Sequence, residues 1–396
     1  MRLPAIISMV RIRAGLLKIR ASSGASLAAI LFALAFLPAL GSAQIWRTEV
    51  VDNGAGHEVG EFSSLAIDVD GNLHVAYWDR NADALLYAFR STRDKQWSRM
   101  VVDKDGTFVT LAVDSAGRPH FAYVSKNETG LHYAYWDGTK WKKEIVDSGH
   151  INYFTSIQVD AAGHPMISYY LYHLPSGEYS LHLKYAYFDG KAWYIQTVDQ
   201  RDHTGKINSL AMDRQGNPHI AYSYFANGSG DLFYAHWEGS KWRFGSADVT
   251  ATENSYLAYG TSIALDSVGH PHIAYFDDTK KTVKYVSWTG THWVPETVDQ
   301  LVGIEVLDHV SLKIDHQDRP HIAYYDAGLG ALKYAFRARD GWQRQVVDHE
   351  GNVGLRPSLY LDGHDEPYIS YQDLGNHSLR LAHRESSVAA AASLKK

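Results

Sequence analysis

Three side chains in the second half of the chain could together move a proton on a carboxylated sugar: His309, Arg356 and Tyr259. A histidine or tyrosine can take up the proton next to a uronic acid carboxylate, while an arginine stabilises the charge that develops. In the repeats described below, His309 and Arg356 occupy a position that is apolar in other repeats, as at Phe62 and Phe108. No spacing rule links the three residues, so solvated loop side chains without catalytic geometry are the alternative interpretation.

A second group of residues is suited to binding rather than to catalysis. It consists of aromatic and imidazole side chains in the longest loops: Tyr153, Tyr172, His173, Tyr179, His203 and Tyr256. Aromatic rings stack on the apolar faces of sugars, and neighbouring polar groups hydrogen-bond the hydroxyls. These loops are therefore predicted to bind a glycan or a protein ligand.

Both groups lie in a chain that is organised around a segment repeated seven times, written LDSVGHPHIAYFDD at positions 265–278. In each copy an aspartate precedes a tyrosine by nine positions: Asp68/Tyr77, Asp114/Tyr123, Asp160/Tyr169, Asp213/Tyr222, Asp266/Tyr275, Asp315/Tyr324 and Asp362/Tyr371. A period of about 45 to 50 residues indicates one supersecondary unit copied around an array.

Each unit reads as four short strands, a to d, joined by tight turns. Strand a ends at the repeated Asp, and a Gly or Asp then supplies a turn position that accepts positive φ. In six units a proline begins strand b, where its missing N–H costs no ladder hydrogen bond. Strand c is of the LKYAF type, and strand d runs from a Trp to an Asp six positions later. The pattern predicts an all-β, seven-bladed β-propeller with four-stranded antiparallel blades.

Five of the units carry a histidine at the same position of strand b: His74, His120, His219, His272 and His321. Histidines distributed one per blade cannot converge on a single metal ion, so we predict packing roles, no metal site and no cofactor. The repeated aspartates are expected to accept hydrogen bonds from turn amides. Packing is also the expectation for the strand d tryptophans, with binding pockets between blades as the alternative.

The two ends of the array are offset. The last unit stops at strand c (RLAHR), whereas IWRTEVVD, from Ile45 to Asp52, is a strand d with no a, b or c before it. We therefore predict that the N-terminal strand completes the last blade and closes the ring.

Loop lengths distinguish the two faces of the predicted propeller. The a–b interval is constant, whereas the interval from the strand b Tyr to strand c is ten residues in five units, sixteen from Tyr169 to Tyr185 and twelve from Tyr222 to Tyr234. Scaffolds carry function in variable loops held by rigid strands. The working face is therefore predicted on the side of the b–c and interblade loops, around blades three to five.

The predicted domain boundaries follow from composition. Residues 1–43 combine five basic residues, the apolar run LAAILFALAFLPAL and small residues before Ala43, which is typical of a bacterial export signal rather than a membrane anchor. The propeller is assigned to residues 44–384, and residues 385–396 form a predicted disordered tail. Cleavage after Ala43 would change the formal net charge from −6 to −11, which disfavours nucleic acid as a partner. We expect a monomeric, secreted or periplasmic protein with no membrane association after cleavage.

The turns before strand d read DGTKW, DGKAW, EGSKW and TGTHW, and resemble the Asp-box (BNR) turns of sialidase-like β-propellers over Ile45 to Arg384. That family's box is Ser/Thr-x-Asp-x-Gly-x-x-Trp, whereas Asp137 and Gly138 are adjacent here. The resemblance implies glycan chemistry, as a hydrolase, a polysaccharide lyase or a lectin. True sialidases also carry an Arg-Ile-Pro segment and a three-arginine clamp, of which this chain has only Arg356-Pro357, so no catalytic residue is transferred.

Three hypotheses follow. The first is an exported, non-enzymatic propeller that binds carbohydrate, or a protein partner, through loops on one face. The second is a polysaccharide lyase or glycoside hydrolase acting at the mouth of the central channel. The third is a structural scaffold with neither property.

Overall fold

Seven antiparallel sheets form from the seven repeats; strands a to d follow one another in the chain in the first six, and in the last the N-terminal strand takes the place of strand d. The structure is a computed structural model that describes residues 45–125, 130–151, 154–174, 176–226, 229–249, 257–303 and 309–385. The predicted signal segment, residues 386–396 of the predicted tail, and the candidates Tyr153 and Tyr256 lie outside these residues, whereas Glu385 ends the last strand. The compact unit runs from Ile45 to Glu385. The prediction of a seven-bladed propeller with four-stranded antiparallel blades is confirmed.

The strands and the single described 3-10 turn have the following bounds. The N-terminal strand is β1 (Ile45–Asp52), and the turn Gly54–Gly56 follows it. Blade one consists of β2 (Val59–Ile67), β3 (Leu73–Asp79), β4 (Ala84–Arg90) and β5 (Trp97–Asp103), and blade two of β6 (Thr107–Val113), β7 (Pro119–Ser125), β8 (Gly130–Trp136) and β9 (Trp141–Asp147). Blade three consists of β10 (His150–Ile151), β11 (Ser156–Val159), β12 (Pro165–His173), β13 (Tyr179–Phe188) and β14 (Trp193–Asp199), and blade four of β15 (Thr204–Met212), β16 (Pro218–Ala226), β17 (Ser229–Trp237) and β18 (Trp242–Asp248). Blades five to seven are β19 (Tyr259–Leu265), β20 (Pro271–Asp277), β21 (Thr282–Trp288), β22 (Trp293–Gln300); β23 (Val310–Ile314), β24 (Pro320–Asp326), β25 (Ala331–Ala338), β26 (Gly341–Asp348); β27 (Val353–Leu361), β28 (Pro367–Asp373), β29 (Ser378–Glu385). Blade three differs from the prediction because the short β10 adds a fifth strand, which pairs with the end of β12.

The a–b turns follow the local chemistry of the sequence. Gly71 has a φ of 78°, and Asp318 and Asp365 take the same left-handed conformation in the last two blades. The Asp68 carboxylate accepts the N–H groups of Asp70 and Asn72, and the strand a aspartates of the other six blades do the same in their turns. The expectation that these carboxylates accept turn amides is confirmed.

The repeated tyrosine of strand b joins neighbouring blades. In every blade its hydroxyl donates to the aspartate that ends strand d of the preceding blade, at 2.6 to 2.9 Å except for the shorter Tyr275–Asp248 contact. All seven of these tyrosines are fully buried. The strand d aspartates were expected to accept hydrogen bonds from turn amides, and several of them do. The partner that all seven have in common, however, is the tyrosine hydroxyl of the next blade.

A ring of hydroxyls surrounds the central channel and also ties blades together. Six of its serine oxygens accept the backbone N–H of the residue one step further along strand a in the next blade, at 2.9 to 3.2 Å. The channel wall contains all seven members of this hydroxyl ring: Ser64, Thr110, Ser156, Ser209, Ser262, Ser311 and Ser358.

The repeated histidines and tryptophans fill the space between and within blades. His74 Nδ1 shares a 2.7 Å hydrogen bond with the Tyr87 hydroxyl, while its Nε2 lies 3.2 Å from Asp68. The other four strand b histidines have equivalent tyrosine and aspartate neighbours. Trp293 packs edge-on against Tyr234 of the preceding blade with ring centroids 5.3 Å apart. These side chains therefore hold the scaffold together.

The N-terminal strand lies at the outer edge of the last blade. β1 pairs antiparallel with β29, in a register that sets Trp46 opposite Arg384. The Trp46 ring packs 5.2 Å from Tyr334 of blade six, and its Nε1 donates to Gln345 Oε1 at 2.9 Å. These contacts match those of the strand d tryptophans in other blades.

Candidate functional site

Bulges at the start of strand a direct side chains over one mouth of the channel. Phe62, Phe108 and Arg356 adopt left-handed φ values of 54°, 52° and 51°, and each lies at a shift in the strand register. A bulge of this kind turns a side chain away from the regular pleat, and a left-handed non-glycine residue stores backbone strain. Gly260 has the same conformation without that strain.

The mouth is filled mainly by aromatic rings. The Phe62 ring lies 4.3 Å from Phe108 and 6.0 Å from Phe154, and Trp78 and Ile207 complete the cluster. This cluster is called the aromatic plug below. The mouth is therefore apolar on the side of blades one to four.

The structure places two of the three catalytic candidates at this mouth. The guanidinium of Arg356 forms an ion pair with Glu61 and stacks 4.0 Å above the Phe62 ring. His309 packs edge-on against Phe154 at 4.3 Å, and burial together with the nearby Arg356 lowers the pKa of His309 to about 3. The imidazole is therefore neutral at physiological pH, and Glu61 already compensates the arginine. The side chain of Tyr259 lies outside the described part of the structure.

Several of the predicted ligand-binding residues converge at the loop ends of blades three and four. The Tyr172 and His173 rings stack at 4.3 Å, and Tyr179 lies edge-on to both, 5.7 Å from Tyr172 and 4.3 Å from His173. Tyr172, Tyr179 and His203 line one depression of about 350 Å³. We call this the loop-face depression, and Tyr179 is its most prominent ring, with 69% of its surface exposed.

The long b–c hairpin of blade three builds this surface. β12 and β13 have nine and ten residues, against seven in the matching strands of blade one, so their ends extend past the neighbouring blade strands. The register sets His173 opposite Tyr179, and β10 pairs along the other side with His150 opposite His173. The His173 Nε2 is buried without a hydrogen-bond partner among the described residues.

The link that carries His203 is fixed by polar contacts. Arg201 binds both oxygens of Asp199, and its guanidinium lies 4.4 Å above the Tyr224 ring. His182 Nε2 hydrogen-bonds the Gln200 carbonyl at 3.0 Å. His203 itself is exposed and has a φ of 64°. The contacts of Arg201 and His182 therefore hold the backbone of the link that carries His203.

Four further residues of the depression were missed by the sequence analysis: Tyr170, Leu181, Lys206 and Phe225. Strand alternation could have identified Tyr170, because residues two apart share a face with Tyr172. Leu181 and Lys206 gave no comparable signal, since their place depends on how blades three and four meet.

A second concave surface lies at the rim between blades four and five. Trp288 and Trp293 form its aromatic wall, with ring centroids 5.3 Å apart, and Phe244 on β18 is 48% exposed beside them. Arg243 pairs with Glu238 at 2.8 Å, and the groove measures about 440 Å³. This rim groove corresponds to the alternative role considered for the strand d tryptophans.

The described residues contain no cluster of three or more potential metal ligands. In the same part of the chain, no helix has the length and apolarity needed to cross a membrane.

Sequence comparison with protein-family models and with curated proteins gives no match. Among solved structures, the chain is similar to an ulvan lyase of polysaccharide lyase family PL25, with a TM-score of 0.58, 14% identity, and coverage of 82% of this chain and 94% of that one. It is also similar to the polysaccharide lyase Uly1, with a TM-score of 0.53, 9% identity, and coverage of 82% and 89%. A third similar structure is a fungal lectin from Aleuria aurantia, described as a six-bladed β-propeller that recognises fucose. Its TM-score is 0.50 and its identity 14%, with coverage of 74% of this chain and 96% of the lectin. At these identities the likeness concerns the fold alone.

Proposed function

We propose that this protein is an exported, non-enzymatic β-propeller that binds carbohydrate in the loop-face depression. The observation that carries the proposal is the exposed Tyr179 ring, held edge-on against Tyr172 and His173 at the border of a depression that His203 also lines. Solved structures that are similar to this chain include proteins named for fucose recognition and for polysaccharide cleavage, which supports a carbohydrate ligand.

The arrangement suits a sugar because its apolar surface is already in place. The Tyr172, His173 and Tyr179 rings support one another, so little rotamer freedom remains to be lost on binding. A sugar ring can stack its C–H face on an exposed phenol ring while its hydroxyls meet imidazoles and phenol oxygens.

The test is retention on a panel of immobilised polysaccharides, with release of oligosaccharides followed in the same samples. Tyr172→Ala and Tyr179→Ala should each weaken retention about 5- to 150-fold, if a sugar ring stacks on an aromatic ring with the 1 to 3 kcal/mol or so that a nucleobase gains. Tyr194→Ala is the matched control, because Tyr194 is also an exposed strand tyrosine (46%) but lies on β14, outside the depression.

Each outcome has a defined meaning. Unchanged retention in both depression variants would refute the proposed location. Loss of retention in Phe244→Ala or Trp288→Ala, with Tyr179→Ala unaffected, would assign binding to the rim groove instead. Retention of no polysaccharide at all, without product release, would favour the scaffold hypothesis.

A second candidate function, polysaccharide cleavage at the channel mouth, is supported by the position of His309 and Arg356 on the same channel wall. The lowered pKa of His309 makes its imidazole a weak base, and the ion pair with Glu61 competes for the arginine that a substrate carboxylate would need. Release of oligosaccharides by the wild type and its loss in His309→Ala would support this function. Cleavage of a proven substrate at the wild-type rate by His309→Ala would exclude it.

We further propose that β1 closes the ring and that the export signal places the mature protein outside the cytoplasm. Closure is supported by the β1–β29 pairing and by the Tyr77–Asp52 bond between blade one and β1. The chain has no cysteine, so hydrogen bonds and packing are the available means of fastening the ends.

A further inference from the structure

The wall of the central channel carries a ring of hydrogen-bond donors. In the six serines of the hydroxyl ring whose oxygens accept a backbone N–H, one lone pair is committed to the next blade. A serine hydroxyl also has one hydrogen to donate, and none of the described residues accepts it from these six serines. Their free hydrogens can therefore turn towards a common ligand in the channel.

The charged side chains of the channel wall are positive, so they favour the same kind of ligand as the hydroxyl donors do. Lys313 and Arg356 both line the channel, and none of the described lining residues is an aspartate or glutamate. Arg356 is compensated by Glu61 at the mouth, whereas Lys313 forms no hydrogen bond or ion pair with any described residue. Its Nζ lies 5.2 Å from the centre of the Tyr360 ring.

An uncompensated ammonium in a confined channel is costly. Burial lowers the pKa of Lys313, which is the response of a cation removed from bulk water without a carboxylate partner. In the other blades the corresponding residue is alanine in four cases, Gln158 in blade three and Tyr360 in blade seven, so the lysine is not required by the repeat. A ligand that carried one negative charge would offset this cost.

We propose that the central channel binds one small inorganic anion, of the size and charge of chloride, between the Lys313 ammonium and the hydroxyl ring. The channel space of about 180 Å³ accommodates such an ion together with a few waters, since a water occupies roughly 30 Å³ in the liquid. Because the hydroxyl ring receives residues from every blade, the bound anion fastens all seven blades at the axis.

The proposal is tested by thermal unfolding of the full chain at constant ionic strength, with sodium chloride replacing sodium gluconate, whose anion is too large for the channel. Binding to the folded state alone stabilises it by mass action. The Tm should rise by on the order of 2 °C for each tenfold increase in chloride above its Kd. A sulfate series at the same ionic strength identifies whether a small oxyanion is preferred.

Lys313→Met is the decisive variant, because it keeps an unbranched side chain, one heavy atom shorter, and removes the charge. Its Tm should be insensitive to chloride, whereas Lys191→Met, at an exposed position of a c–d turn, should respond like the wild type. If Lys313→Met does not fold, bromide soaked into crystals of the wild type provides a second measurement, with an anomalous peak expected in the channel. Equal Tm values in chloride, sulfate and gluconate, an unchanged anion response in Lys313→Met, or no bromide peak would overturn the proposal.

Discussion

The hydroxyl of Tyr77 donates a 2.6 Å hydrogen bond to Asp52 Oδ2, and so connects the first blade to the N-terminal strand β1. The same pairing of a strand b phenol with a strand d carboxylate recurs at every junction between blades. The repeated tyrosines of strand b and the repeated aspartates that end strand d therefore join neighbouring blades.

Removing one such joint should lower stability measurably. Tyr77→Phe keeps the ring but leaves the buried Asp52 carboxylate without its phenol, and a hydrogen bond to a charged group contributes about 1.5 to 3 kcal/mol. We expect a loss of that size in the free energy of unfolding measured with urea. Tyr179→Phe, at an exposed hydroxyl, should change stability by less than about 0.5 kcal/mol. Equal effects of the two changes would refute the assigned role.

Deletion of residues 45–52, which form β1, should destabilise the last blade. The deletion exposes the edge of β29 and removes the Trp46–Tyr334 contact and the Asp52 acceptor. An unpaired strand edge promotes association between molecules. We expect a lower Tm and larger species on size-exclusion chromatography, compared with a chain shortened only by residues 386–396. Melting at the same temperature as that control would contradict ring closure by β1.

Gly205 lies where blade four approaches blade three closely. A Cβ at Gly205 would lie 2.6 Å from the Leu183 Cβ in the preceding blade, whereas a Cβ at Gly239 would meet no atom within 4 Å. Both glycines have positive φ, 84° and 76°, so substitution by alanine carries a similar backbone penalty at each. Gly205→Ala should therefore be less stable than Gly239→Ala by about 1 to 3 kcal/mol in denaturant unfolding, the usual range for overpacking. Equal losses would show that the junction can widen freely.

The five strand b histidines should make stability depend on pH below neutrality. Burial lowers their pKa values, and the neighbouring aspartates offset this only in part. As the pH falls below about 6.5, the unfolded chain takes up protons that the folded chain does not, so stability decreases by up to about 1.4 kcal/mol per pH unit for each histidine. The Tm should be constant above pH 7 and fall between pH 6.5 and 5.

A single variant checks the origin of this slope. His74→Met introduces the residue that blade three has naturally, Met166, and should reduce the decrease in Tm between pH 6.5 and 5 by about one fifth if the five histidines contribute equally. The variant loses the bond to Tyr87 at every pH, so the slope rather than the absolute Tm is compared. An unchanged slope would assign the pH dependence to other groups.

Much of the loop-face depression could be predicted because its residues are close in the chain. Tyr172, His173 and Tyr179 lie on one hairpin, whose unusual length is visible in the sequence. The channel mouth was predicted less completely. Its position in strand a was identified, but Glu61, the partner of Arg356, lies 295 residues away and was not.

The sequence by itself determined the blades. Positive φ at Gly71, Pro119 as the first residue of a strand and the Trp-to-Asp spacing of strand d are local backbone requirements, and their sevenfold repetition sets the number of units. Only the tertiary structure decided which groups the repeated side chains contact and which charges remain uncompensated. The phenol of one blade contacts the carboxylate of the previous blade, and Lys313 faces the channel, because the blades are arranged in a ring. The spacing of the strands along the chain does not determine the angle between neighbouring blades, so these contacts could not be predicted from the sequence.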